Sequence, residues 1–227
     1  MKKQISKTRT LAICLLAAFM LWTAAVCFID VQSIGPAGSS VGFAAINCWF
    51  HHLAGVHMTL YTVTDWLSLI PLAFVLGFAA LGLTQWIRRK SLLRVDRSIL
   101  VLGGFYLVVI TAYVFFEHVV VNYRPVLIAG VLEASYPSST TLLVLTVMPT
   151  AAMQLYSRIR CPACRQAAAA AIIAFTAFMV VARLISGVHW LTDIIGGILL
   201  SAGLVMLYAS ISESAGTEST GEEKQSK

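Results

Sequence analysis

The sequence predicts an all-α integral membrane protein, a bundle of six transmembrane helices in one domain. Three observations carry this. Hydrophobic residues make up 59% of the 227 residues and charged residues only 11%, where soluble domains carry about 25% charged residues. The mean hydropathy is +0.84. The apolar residues fall into six runs, and the cations gather in alternate gaps between them. A formal net charge of +6 would suggest nucleic acid in a soluble chain. Here the placement of the cations accounts for it, and no nucleic-acid partner is expected.

Met1–Thr10 is basic, with Lys2, Lys3, Lys7 and Arg9. Leu11–Ile29 is the first apolar run, long enough to span a bilayer. No small-x-small cleavage site follows it, so it reads as a retained helix and not a signal peptide. Asp30–Met58 mixes Gly35-Pro36 and Gly38-Ser39-Ser40 with aromatics, His51, His52 and His57. It reads as an interfacial connection with a short amphipathic helix. The second span is Leu60–Trp86, with Asp65 near its start, either paired or capping. The basic loop from Arg88 to Arg97 leads to the third span, Ser98–Phe116. A polar connection, Glu117–Pro137, precedes the fourth span, Ser138–Tyr156. A second basic loop, Arg158–Arg165, carries Cys161 and Cys164 in a lone CxxC, either incidental or redox- or metal-active. The fifth span is Ala167–Ala182 and the sixth Ile194–Ser210. The tail, 211–227, is rich in Ser, Glu, Gly and Thr and reads as disordered and cytoplasmic. Trp22, Trp86 and Trp190 near span ends suit interfacial anchoring.

The cations set an orientation. Of sixteen Lys and Arg, four lie in the N-terminal segment, five at 88–97, three at 158–165 and two in the tail. Six spans place all of these on one side, which the positive-inside rule makes cytoplasmic. Arg124 and Arg183 remain, and both fall on the opposite face. A cation kept there against the charge rule marks a functional site.

Three clusters meet on that face. Arg183-Leu-Ile-Ser-Gly-Val-His189-Trp-Leu-Thr-Asp193 joins a cation, an imidazole and a carboxylate. On a helix, His189 and Asp193 would share a face, so the carboxylate can hold one ring nitrogen and leave the other free to attack. A break at Ser186-Gly187 would let the chain turn back toward Arg183. A guanidinium is a fork suited to phosphate. The second cluster, Glu117-His118-Val-Val-Val-Asn-Tyr-Arg124-Pro125, supplies another cation. The third, Tyr136-Pro137-Ser138-Ser139-Thr140-Thr141, opens a helix whose free N–H groups can hold an anion.

In order and spacing these clusters resemble the three-part signature of the type 2 phosphatidic acid phosphatase (PAP2) superfamily: Lys-x6-Arg-Pro, then Pro-Ser-Gly-His, then Ser-Arg-x5-His-x3-Asp. The third part is present as Arg183, His189 and Asp193, with Ala182 for the Ser. The first part keeps Arg124-Pro125 but has Glu117 at the Lys position. The second reads Pro137-Ser138-Ser139-Thr140, with Thr140 at the His position. The resemblance implies a six-helix membrane fold and a phosphatase acting on a lipid phosphate or polyprenyl diphosphate, undecaprenyl diphosphate among them, at the outer face of the plasma (inner) membrane. It implies that His189 attacks phosphorus, Asp193 orients it, and Arg124, Arg183, Ser138 and Ser139 hold the phosphoryl oxygens. It implies no metal or other cofactor. The family His at the Thr140 position is the general acid, which Thr140 cannot replace at neutral pH. His118 is a candidate substitute. A protein that binds or translocates a lipid phosphate without turnover is the alternative.

Overall fold

The structure is a computed structural model. It describes residues 4–214 in full, together with the helical backbone at 2–3 and 215–225. Eight α-helices follow in chain order: α1 (Lys2–Phe28), α2 (Ala44–Ala54), α3 (Met58–Leu67), α4 (Leu69–Arg89), α5 (Arg97–His118), α6 (Ser139–Arg158), α7 (Pro162–Ile185) and α8 (Leu191–Gln225). The only extended pairing among the described residues is three isolated β-bridges, so the all-α expectation is met. Residues 211–214 of the stretch read as a disordered tail continue α8, and the rest of that stretch lies outside the fully described residues.

Among the described residues, five helical stretches are long and apolar enough to cross a membrane: 4–28, 58–89, 97–118, 162–185 and 191–214. The protein is a multi-pass membrane protein. The stretch at 58–89 joins α3 and α4 across a break at Ser68. The helix with the weaker apolar signal, α6, is the most enclosed of the bundle, touching α4, α5, α7 and α8. Its polar residues face inward, where lipid cannot reach them. Thr146 and Thr150 give their hydroxyl protons to carbonyls one turn back. Tyr106 meets Thr150 at 3.2 Å, and Gln154 donates to the Tyr208 hydroxyl at 2.7 Å. Each of these buried polar groups of α6 thus has a partner, as a low-dielectric interior requires.

The main core lies between α1, α5, α6 and α8 and is built on Phe19, Leu102, Phe105, Leu142, Leu204 and Tyr208. Tyr136 closes this core beneath the site. Its ring stacks on Phe19 at 6.2 Å and meets Phe116 edge-on at 5.9 Å, and its hydroxyl lies 2.7 Å from that of Thr23. Gly196 on α8 makes room for it, since a Cβ there would stand 2.5 Å from the ring. Tyr136 in turn places the start of α6 against the first turn of α8, where Ser138 N–H donates to the Asp193 carbonyl at 3.1 Å.

Candidate active site

Three segments converge at one end of the bundle. The first is the α7–α8 junction. Arg183 sits in the last turn of α7 and Asp193 in the first turn of α8. Gly187 turns the chain between them with φ +68°. A Cβ at that position would also lie 1.9 Å from the Gly55 carbonyl oxygen, so only glycine fits. The turn folds His189 into the interior, 2% exposed, with Asp193 fully buried beneath it.

The second segment is the 119–137 connection, which forms a hairpin. Tyr123 bridges Ala134, and Ile128 bridges Val131. The tip carries Ala129 and Gly130, both at positive φ (49° and 80°), as a two-residue hairpin turn requires. Arg124 N–H donates to the Glu133 carbonyl and Ser135 N–H to that of Asn122. This register delivers Asn122, Arg124 and Ser135 to the same place. The third segment is the start of α6, with Ser138 as N-cap.

His189 and Asp193 do not share a helical face, because α8 begins only at Leu191. His189 Nδ1 and Asp193 Oδ2 are 3.8 Å apart, too far for a hydrogen bond. Ser135 bridges them. Its hydroxyl donates to Asp193 Oδ2, and its oxygen lies 3.0 Å from His189 Nδ1. Asp193 also accepts Asn122 Nδ2–H at 3.2 Å and the Trp190 N–H at 2.9 Å. Because Ser135 gives its own proton to the carboxylate, it is left to accept from the ring. That places the proton of neutral His189 on Nδ1 and leaves the Nε2 lone pair free. Burial pushes the His189 pKa down to about 4, and the nearby Arg124 and Arg183 charges push the same way. The imidazole is therefore neutral at pH 7, the state a nucleophile needs.

Arg124 Nη1 stands 3.3 Å from that Nε2. Its Nε lies 3.0 Å from Glu133 Oε2, an ion contact without hydrogen-bond alignment. Arg183, 2% exposed, donates to Thr140 Oγ1 at 2.6 Å, to Thr64 Oγ1 at 3.0 Å and to the Tyr61 carbonyl at 3.3 Å. Asp65 lies 3.5 Å from its Nη2. The Tyr61 ring lies against both guanidinium groups, 4.6 Å from that of Arg183 and 5.9 Å from that of Arg124, a favourable setting for cations. Arg183 Nε is buried and unpartnered, a donor left for a ligand. Both arginines, Ser139, Thr140 and Asp65 line a cavity of about 370 Å³, whose other walls include Leu72, Val109 and Leu143. Its lining joins two cations to apolar side chains, a combination suited to an anionic group carried on an apolar chain.

The remaining expected residues fall as follows. Ser139 lines the cavity. Ser138 is buried, its hydroxyl accepting from Thr141. Glu117 faces a small recess beside Ser135 and Ser139, and the carboxylate that meets Arg124 is Glu133 instead. His118 is not brought to the site. It is exposed, its Nδ1 is bonded to Val114 O one turn back, and it does not line the cavity. Sequence reasoning missed Ser135, Asn122, Glu133, Tyr61 and Thr64. Among the described residues no three His, Cys, Asp or Glu are grouped to hold a metal.

Comparison with known proteins decides the family. The model of the PAP2 superfamily matches residues 103–215, from α5 through α8. The chain belongs to the PAP2 superfamily. The crystal structure of the first transmembrane PAP2-type phosphatidylglycerolphosphate phosphatase from Bacillus subtilis superposes with a TM-score of 0.60, over 89% of this chain and 96% of that one. The two sequences are 19% identical, so the likeness is one of fold. No protein of curated function matches the chain. Arg124, Arg183, His189 and Asp193 all lie within the matched range and are gathered in one site. The hydroxyl of Thr140 is committed to Arg183.

Proposed function

We propose that this protein removes a phosphoryl group from a lipid phosphate or polyprenyl diphosphate through a phosphohistidine on His189, at the extracytoplasmic face of the plasma membrane. The observation that carries this is the neutral, buried His189, with Nδ1 held by Ser135, which is itself bonded to Asp193, and Nε2 directed at the Arg124 guanidinium. The orientation rests on the cation distribution over six spans, with both termini cytoplasmic. A reporter fused into the 119–137 hairpin should read as extracytoplasmic.

The headgroup meets the two arginines of the cavity, and the lipid chain leaves past its apolar side chains into the bilayer. Phosphoryl oxygens take the Arg124 and Arg183 donors and the first N–H groups of α6. Arg124 turns from His189 to the phosphate, which frees the Nε2 lone pair. Nε2 attacks phosphorus, the bond to the leaving oxygen breaks, and the ring becomes cationic. Asp193, through Ser135, stabilises that charge. Water then displaces the phosphoryl group from Nε2. Clamping charge as it develops is usually the largest catalytic contribution.

Thr140 gives the leaving oxygen no proton. This matters greatly for an alkoxide and little for a phosphate leaving group, whose second pKa is about 6. Diphosphates are therefore the favoured substrates. The deciding experiment measures phosphate release by purified protein in detergent from a polyprenyl diphosphate and a lipid monophosphate, with His189→Ala alongside. Release from the diphosphate that is lost in the variant supports the proposal. No release above the variant from either lipid favours the second reading, a binder without turnover. The pairing of both arginines with carboxylates speaks for that reading.

A further inference from the structure

Cys161 and Cys164 lie at the other end of α7 from Arg183, outside the site described above. Cys161 is the N-cap of α7, with extended backbone (φ −73°, ψ 118°), and Pro162 opens the helix. The Cys161 Sγ accepts the Cys164 N–H at 3.5 Å, so the two residues are already drawn together across the first turn. Both thiols are exposed. Residues three apart on a helix have Cβ atoms about 5–6 Å apart, and a small closing motion brings such a pair into disulfide range. The N–H directed at its sulfur holds the Cys161 thiol below its ordinary range, and a helix N-terminus favours the anion further. The Cys164 thiol has no such donor and is left to act second. Two thiols do not complete a tetrahedral metal site, and no further His, Cys, Asp or Glu joins them among the described residues.

We propose that Cys161 and Cys164 form a thiol–disulfide exchange site, closed reversibly into an intramolecular disulfide by a low-molecular-weight disulfide. The Cys161 thiolate attacks one sulfur of the oxidant, forms a mixed disulfide and expels one thiolate. Cys164 loses its proton to solvent, attacks the Cys161 sulfur and expels the second. The two protein thiols are oxidised, the oxidant disulfide is reduced to two thiols, and the expelled thiolates recover the two protons.

The test uses the full chain in detergent, equilibrated with mixtures of reduced and oxidised glutathione. Thiols are then alkylated and quantified peptide by peptide. Cys161 and Cys164 should be lost together at one potential, with no glutathione adduct, while Cys14, Cys27 and Cys48 remain alkylatable. Cys164→Ser should trap a glutathione adduct on Cys161. At pH 7, Cys161 in Cys164→Ser should be alkylated several-fold faster than Cys164 in Cys161→Ser. Accumulated adducts without internal closure, disulfides between chains, resistance to oxidised glutathione, or equal alkylation rates would each overturn the proposal. None of these readouts depends on phosphatase activity.

Discussion

Arg124 Nη1 and His189 Nε2 stand 3.3 Å apart, so the guanidinium covers the lone pair proposed to attack phosphorus. The same charge disfavours protonation of the ring. In the proposed mechanism Arg124 thus guards the nucleophile until an anion draws it away. Replacing it removes both a phosphate clamp and a charge next to the ring. Arg124→Gln is expected to lower kcat/KM by roughly 10²–10³-fold, the range seen on loss of one oxyanion donor. It should also raise the His189 pKa, because a cation beside the ring is gone. Kinetics and titration of the imidazole by NMR check the two effects separately. A pKa that falls would show that Arg124 does not act on the ring as a charge.

Ser135 carries the contact between His189 and Asp193, whose nearest atoms are 3.8 Å apart without it. Ser135→Ala leaves the carboxylate its Asn122 and Trp190 donors and leaves the ring the Ser135 carbonyl, 3.2 Å from Nδ1, but takes away the hydroxyl that links the ring to the carboxylate. Its effect should fall mainly on kcat, by about 10–100-fold, as for other groups that orient a reacting ligand. KM should change little, since Ser135 does not line the cavity. A variant with raised KM and unchanged kcat would remove Ser135 from this role.

His189 also predicts how stability depends on pH. Its folded pKa, about 4, lies below the ordinary 6.5. Between those values the unfolded chain binds the proton and the folded one does not, so stability rises with pH across this window. The contribution is complete above pH 6.5 and is lost as pH falls toward 4. His51, half-buried beside Trp190, is shifted the same way by burial. The His189 share is therefore read by comparison with His189→Gln, whose thermal midpoint in detergent should fall less than that of the unaltered chain from pH 7 to pH 5. Parallel curves would place the protonation elsewhere.

Thr140 is the acceptor for Arg183 at 2.6 Å, and the proposed mechanism has no general acid at this position. Thr140→His supplies a proton donor at the cavity wall and removes that acceptor. If the missing acid limits turnover of monophosphates, the variant should raise it well above twofold, toward the roughly 10²–10⁴-fold range of general-acid catalysis. Diphosphate turnover should change far less, which narrows the preference between the two substrates. A gain of twofold or less on the monophosphate would defeat the explanation.

Arg124, Arg183, His189 and Asp193 were legible in the sequence because charged residues between apolar runs are conspicuous, and because their spacing matches a family signature. The bundle was legible for the same reason: apolar runs long enough to span have few other uses. Ser135, Asn122 and Glu133 were not. They are ordinary polar residues of a connection, and only the hairpin register, which has no periodic trace in the sequence, carries them to the site. Tyr61 and Thr64 were hidden inside an apolar span, although Pro71, three residues past the break at Ser68, is a residue that punctuates helices. His118 misled because it is close in sequence to Arg124, yet α5 continues through it and turns its ring back onto Val114.

Two carboxylates oppose the proposed phosphate clamp. Glu133 lies 3.0 Å from Arg124 Nε and Asp65 3.5 Å from Arg183 Nη2, with side chains 40% and 60% exposed. Any phosphate that enters must compete with them. The same competition helps expel the orthophosphate product, since the carboxylates stand ready to retake the guanidinium groups. Partly exposed ion pairs contribute about 0.2–1 kcal/mol, so the effect is modest for each. Glu133→Gln and Asp65→Asn should each tighten competitive inhibition by orthophosphate or vanadate by about 1.5–5-fold, the same energy expressed as a ratio. The double variant should approach the product of the two, because the pairs involve different arginines. Added salt should shrink the difference from the unaltered chain. Weaker inhibition in either variant would mean that the carboxylate holds its arginine in the binding geometry and does not compete with phosphate.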